Sequence, residues 1–355
     1  MKGKKYMSKI KNLHGWKKAL AIFGVVIGAI VAFVLLVLLC LHLFTPVVFN
    51  GFFSNAETEY LTPGLSDGLV PQGYAFVKDN EVYIQCGYMA DGESASRIYV
   101  TDVKNTKDSK YVELYTDDEK PYTGHTGGIT SANGYVWLAN DGEDDDNCVW
   151  VLSLDEILAA ENGGKITLKT KIHPETRAAY CYADDEYLWI GEFRDDEKYP
   201  TAENHRFDVE GGTNYAIVCA YLLDSSTKYG IRVEDTEGTV IPRFALSVTD
   251  MVQGFTHTDD GKFILSTSYG LNTSHLLFYN VAGTRSDGIL VADGHEVPVY
   301  FLDAGNLAKD VVMPPMSEEI FVKDGRVFVL FESACQKYIF GNFTRGRHIY
   351  SFNLK

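Results

Sequence analysis

A small set of carboxylates and one histidine carry most of the chemistry this chain could perform. Glu192, Glu318, Glu319 and Glu332, with Asp141, supply acidic oxygens, and His125 supplies a group that exchanges protons near neutral pH. Two carboxyls across a cleft are what glycoside hydrolysis requires, one as acid and one as base or nucleophile, so Glu192, Glu332 and His125 are the candidate catalytic residues. Oxygen donors from Asn140 and Asp141, joined by Glu192 and by Glu318 or Glu319, form the alternative, a hard-cation site of the Ca2+ type that is structural or supports lactone or phosphoester hydrolysis. Gln72, Tyr88, Arg177, Gln253, Tyr269, Glu318 and Glu319 are the candidate ligand-binding residues. A plainer reading competes with both: crowded charged and amide groups are costly unless paired, so these side chains can simply neutralise one another. No cofactor other than Ca2+ is indicated, because phosphate-binding loops, nucleophile elbows, zinc-protease helices and dinucleotide fingerprints are all missing. The acidic run at 142–147 lacks the spacing of a calcium loop and reads as a solvated turn.

What brings these residues together is a hairpin that occurs five times: PQGYAFVKDNEVYIQCGY at 71–88, HTGGITSANGYVWLAND at 125–141, RAAYCYADDEYLWIGEF at 177–193, VQGFTHTDDGKFILSTSYG at 252–270 and MSEEIFVKDGRVFVLFES at 316–333. Each copy runs through a short apolar strand, turns at a D-N, N-G, D-D or D-G tip and returns through a β-branched and aromatic strand. Such a repeated unit predicts an all-β, five-bladed β-propeller, with six blades as the alternative because the longest interval, Trp189 to Ile264, holds extra apolar material. Third strands follow at SRIYVTDV, NCVWVLSL, YAIVCAYLL, HLLFYNV and RHIYSFNL, and fourth strands at KYVELYT, KITLKTK, RFALSV and PVYFLDA. The last unit has no fourth strand of its own. An open edge is a liability, so the spare segment Glu57 to Val70 is expected to fill that place and close the ring. In this geometry the starts of first strands and the ends of second strands share one rim, which is where the candidate residues fall. A short helix is expected over Ser153–Gly163, with a capping residue at its start and Asn-Gly at its end.

The domain plan is a basic tail (1–18), a transmembrane helix (19–44), a linker (45–56) and the propeller (57–355). Ala19 to Leu41 carries no charge and exceeds the ~30 Å hydrocarbon thickness. Seven lysines precede it with no acidic residue among them, so the positive-inside rule keeps the N-terminus cytoplasmic and exports the rest. The exported part carries 25 Lys+Arg against 48 Asp+Glu, a net charge near −23 that argues against nucleic acid as a partner. Five cysteines lie beyond the span, in or beside predicted strands. The odd number rules out complete pairing within one chain and suits buried small apolar side chains, with Cys86 and Cys335 the first pair to consider for a disulfide.

The phrases H-T-G-G-I at 125, V-Q-G-F at 252 with S-T-S-Y-G at 266, and P-P-M-S-E-E-I at 314 followed by F-E-S-A-C-Q-K-Y at 331 resemble an uncharacterised group of bacterial secreted or membrane-anchored β-propeller proteins. The resemblance covers most of residues 70–355. It implies the fold and an exported location, carries no reaction, and adds Ser317 and Lys337-Tyr338 to the residues of interest. The combined expectation is a single-pass cell-membrane protein that binds an extracellular glycan or peptide at the central channel mouth, or a surface protein through its blade edges. A hydrolase using the same carboxylates is the alternative.

Overall fold

The structure, a computed structural model, describes residues 15–142, 146–196, 198–235, 238–280 and 286–354, without the side chains of 339 and 340. The chain divides into a helical unit ending at Val48 and a β unit from Phe49 onward. The first unit is helix α1, Trp16–Val48, whose 33 residues span about 50 Å. Length and composition make α1 able to cross a membrane, a test that a signal sequence also passes. Of the seven leading lysines, only Lys17 and Lys18 lie within the described residues.

The β unit is a five-bladed propeller. It opens with a helical turn α2, Asn50–Phe53, and strand β1, Ala56–Leu61. Blade one contains β2 (Leu69–Val77), β3 (Val82–Met89), β4 (Arg97–Asp102) and β5 (Asn105–Thr116). Blade two contains β6 (Gly128–Ala132), β7 (Tyr135–Asn140) and β8 (Cys148–Ser153), after which come helix α3 (Leu154–Ala159), β9 (Gly164–Leu168) and β10 (Thr170–Ile172). Blade three is built from β11 (Tyr180–Ala183), β12 (Tyr187–Gly191), a small hairpin of β13 (Phe207–Val209) and β14 (Gly212–Asn214), then β15 (Ala216–Leu222) and β16 (Phe244–Val248). Blade four has β17 (Val252–His257), β18 (Lys262–Thr267), β19 (Ser274–Asn280) and β22 (Leu307–Met313), while β20 (Gly288–Ala292) and β21 (His295–Phe301), between β19 and β22 in the chain, join the sheet of blade three. Blade five ends the chain with β23 (Ser317–Lys323), β24 (Arg326–Phe331) and β25 (His348–Asn353).

Closure uses the spare N-terminal segment. β1 pairs antiparallel with β25, Ala56 facing Phe352, so the last sheet runs β1-β25-β24-β23. Phe52 is fully buried against Phe331, Tyr350 and Phe352, because its ring completes the apolar layer at the edge of blade five. Each junction between neighbouring blades has its own apolar cluster. The one that closes the ring, between blades five and one, is aromatic: Tyr60, Tyr74, Tyr83, Phe321 and Phe328, with Tyr60 and Tyr74 hydroxyls 2.6 Å apart.

Two fourth strands differ from expectation. PVYFLDA lies in β21, which runs parallel to β16 and extends blade three, while β22 takes the outer place in blade four. The reason is burial: Val297 and Val299 pack into the core between blades two and three. KITLKTK splits at exposed Lys169. Its first half, β9, runs parallel to β5 and buries Ile166 and Leu168 between blades one and two; its second half, β10, pairs with β8 and sends Ile172 to the next junction. The predicted helix is α3, its start held by the Ser153 hydroxyl accepting from Glu156 N–H. All five cysteines of the β unit are buried free thiols, Cys86 and Cys335 included.

Candidate functional site

The axis of the propeller is stitched by one carboxylate. Glu319 is 1% exposed on β23, at an irregularity in the β23–β24 pairing, and reaches across the ring. Its Oε2 accepts from Tyr74 N–H at 2.6 Å and Ile129 N–H at 2.9 Å, and its Oε1 from Cys181 N–H at 3.1 Å. Blade five thereby ties the innermost strands of blades one, two and three to a single side chain. Burial pushes its carboxyl well up, and the three N–H donors pull the other way. Such close convergence needs glycine: a Cβ on Gly73 would lie 2.5 Å from Ile129 N, and one on Gly254 2.7 Å from Glu319 Cα.

The end of the channel where the first strands begin holds the other nominated residues, most of them engaged with one another. Gln72 donates to Glu332 Oε2 at 2.9 Å. Burial lifts the Glu332 carboxyl to about 7, against the Gln72 hydrogen bond and the nearby Lys337 ammonium. Glu318, also 1% exposed, is pushed well up by burial and by the adjoining Glu332 and Glu319. Lys337 Nζ donates to the Tyr88 hydroxyl at 2.6 Å, and the Tyr88 ring lies 5.2 Å from that of His125. Surrounding protein and Lys337 lower the His125 pKa. Lowered to about 4, it leaves the imidazole neutral at pH 7. The Ser317 hydroxyl pairs with that of Ser266, and the Ser317 N–H donates to the Ser274 hydroxyl, which donates in turn to that of Ser268. Gln253 is half-buried at the same end, and Tyr269 packs on Phe193.

Glu192 belongs to a separate buried cluster whose histidine partner lies in no recognisable motif. Its carboxylate accepts from His205 Nδ1 at 2.9 Å, from Ile217 N–H at 3.1 Å and from Arg177 N–H at 3.3 Å. His205 is 1% exposed, and Glu175 lies 3.6 Å beyond its Nε2. Burial opposes its charge, yet Glu175 and Glu192 together raise its pKa to about 9, making it a buried imidazolium. Asp141 is held by Arg177 at 2.7 Å. Asn140 accepts from Thr126 N–H and donates to the Asp146 carbonyl. Both nominated metal ligands are therefore occupied by protein groups, and among the described residues no three His, Cys, Asp or Glu side chains converge on a cation position. The acidic loop at 142–147 lies partly outside the described residues.

At the hairpin-tip end of the same axis lies a cavity of about 1060 Å3. Tyr74, Ile129 and Cys181, whose N–H groups bind Glu319, are among its lining residues. Phe76, Tyr182, Tyr187, Phe244 and Phe263 line the walls half-buried. Asp184 organises one side: its Oδ1 accepts from the Glu186 and Tyr187 N–H groups, and its Oδ2 from Trp189 Nε1 at 2.7 Å and His257 Nε2 at 2.8 Å. Burial opposes charge on both partners, but their mutual contact holds Asp184 below the usual carboxylate range and His257 above its own usual value. None of this wall was singled out from sequence. The tip motifs D-N, D-D and D-G were read only as turn chemistry, although they also place carboxylates around an axial opening.

No known family model and no curated protein sequence matches the chain. Among solved structures it is similar to an exo-β-1,3-galactanase from Phanerochaete chrysosporium bound to β-1,3-galactotriose, at 10% identity over 84% of this chain and 64% of the galactanase, with TM-score 0.45. It is also similar to the PQQ-bound aldose sugar dehydrogenase of Streptomyces coelicolor (11% identity, 83% and 95% covered, TM-score 0.41) and to BamB of Moraxella catarrhalis (8%, 80% and 85%, 0.33). The chain spans less than two thirds of the galactanase. Likeness at this level assigns no function.

Proposed function

We propose that the protein is a membrane-anchored, extracytoplasmic binding protein whose propeller takes a glycan or peptide ligand on its central axis, at the hairpin-tip mouth. The observation that carries this reading is the cavity of about 1060 Å3 walled by half-buried aromatic rings. A large concave site with apolar walls and a few polar groups is the usual form of a ligand pocket. Mutual pairing at the opposite end of the channel supports the plainer reading of the groups there, as structural rather than ligand-facing. The lysine-rich start and helix α1 support anchoring with the propeller outside. The test is a glycan and peptide array probed with the full chain. Ligands bound by the wild type should be lost when Tyr182→Arg fills the cavity; unchanged binding would remove the cavity from the account.

One observation favours a hydrolase as the second reading. Glu332, with its carboxyl near 7 beside buried Glu318, has the character of a general acid, and His125 is close to Tyr88 on the same rim. On that reading Glu332→Gln abolishes turnover of a glycoside or ester substrate while leaving binding intact.

A further inference from the structure

We infer that the hairpin-tip cavity selects a cationic ligand, an extended peptide segment bearing lysine or arginine side chains. This deepens the proposed binding function and rests on it. The cavity lining carries six carboxylates, Asp79, Asp155, Asp184, Asp185, Glu186 and Asp259, against Lys78 and His257. Asp184 and His257 neutralise each other at 2.8 Å, which leaves the balance strongly negative.

Four of the acids, Asp79, Asp155, Asp185 and Asp259, are exposed and have no hydrogen-bond or ion-pair partner among the described residues. They come from four separate connections, between β2 and β3, at the start of α3, between β11 and β12, and between β17 and β18. The charge is therefore spread around the opening rather than held in one loop. Aspartate at hairpin tips is common turn chemistry, and by itself points to no ligand. The walls behind it do. Tyr182, Tyr187, Phe244 and Phe263 offer apolar surface for methylene stems and ring faces for an ammonium or guanidinium head, while the Phe76 ring already carries the Lys323 ammonium at 5.1 Å. Carboxylates around a low-dielectric recess focus attraction for cations, and the net charge of −16 over the chain adds the same sign at long range. A neutral glycan would use the rings but gain nothing from the unpaired charges. The volume exceeds what a single amino acid fills and suits a short segment of polymer.

The test uses the full chain in zwitterionic nanodiscs, titrated with tetralysine and separately with cellotetraose, each at low and moderate salt. Tetralysine is expected to bind, to weaken at least tenfold as salt rises, and to weaken about tenfold in Asp185→Asn/Asp259→Asn, a double change at exposed turn positions that leaves the core untouched. Absence of tetralysine binding, or equal affinity in the double variant, overturns the inference. Salt-independent cellotetraose binding that Tyr182→Arg abolishes would overturn cation selectivity while leaving the axial cavity as the binding site. Binding of either probe that Tyr182→Arg does not alter overturns both.

Discussion

Glu319 shows how one side chain can hold a ring together. Three inner strands direct a backbone N–H at it. Removing an acceptor from a buried donor costs about 1–3 kcal/mol per group. Glu319→Ala is therefore expected to lower stability by about 3 kcal/mol or more, and Glu319→Gln by less, because its amide oxygen still accepts. Thermal melts of the two variants check this; a wild-type melting temperature for Glu319→Ala would contradict it. His205 gives a pH prediction. Its folded pKa of about 9 lies above the ordinary value of 6.5, so its stabilisation is complete below about pH 6.5 and is lost as pH rises through 9. Glu332 acts in the same direction at lower pH: with its carboxyl lifted to about 7, the folded state holds a proton that the unfolded state releases near 4.5, so stability falls between those values. Melting temperature should decline from pH 5 to pH 9, with Glu332→Gln flattening the lower part and His205→Gln the upper. Glu318 and Glu319, as raised carboxyls, add to the decline in the same direction as pH rises above the ordinary carboxylate range.

The strands were largely legible because period-two patterns and Asp/Asn/Gly tips repeat in register. Tyr83, Trp137, Trp189, Ile264 and Phe328 all fall on second strands. Long-range choices were not legible. Whether β21 joins blade three or blade four depends on which apolar face is uncovered, and local sequence does not record that. His205 sits in a short turn in the long connection between β12 and β15, with no motif to mark it. The cavity wall was missed for another reason: its residues lie at strand ends farthest from the rim that alignment of the copies emphasised. Within the elements, the closing strand invites a direct test. Phe52 anchors α2 and the β1 edge in blade five, and large-to-small changes of buried aromatics cost about 3–5 kcal/mol. Phe52→Ala should lower the melting temperature and increase protease cleavage near residues 50–61; resistance equal to the wild type would show that closure does not depend on it.

Across the whole molecule, the ring has two differently built ends on one axis. Paired groups fill the end where inner strands begin, and a wide aromatic cavity opens where their hairpins turn. Glu319 stands between them. The proposed anchoring by α1, with the propeller outside, predicts that lysines of the β unit, such as exposed Lys78, react with an impermeant amine reagent on intact cells. Labelling only after lysis would reverse that orientation. The central claim concerns the end of the axis that meets the ligand. Affinity for whichever array ligand is found should be measured in parallel for Tyr182→Arg, at the hairpin-tip cavity, and Tyr88→Arg, at the opposite mouth. The account predicts loss of binding in the first variant and near wild-type affinity in the second; the reverse pattern would contradict it.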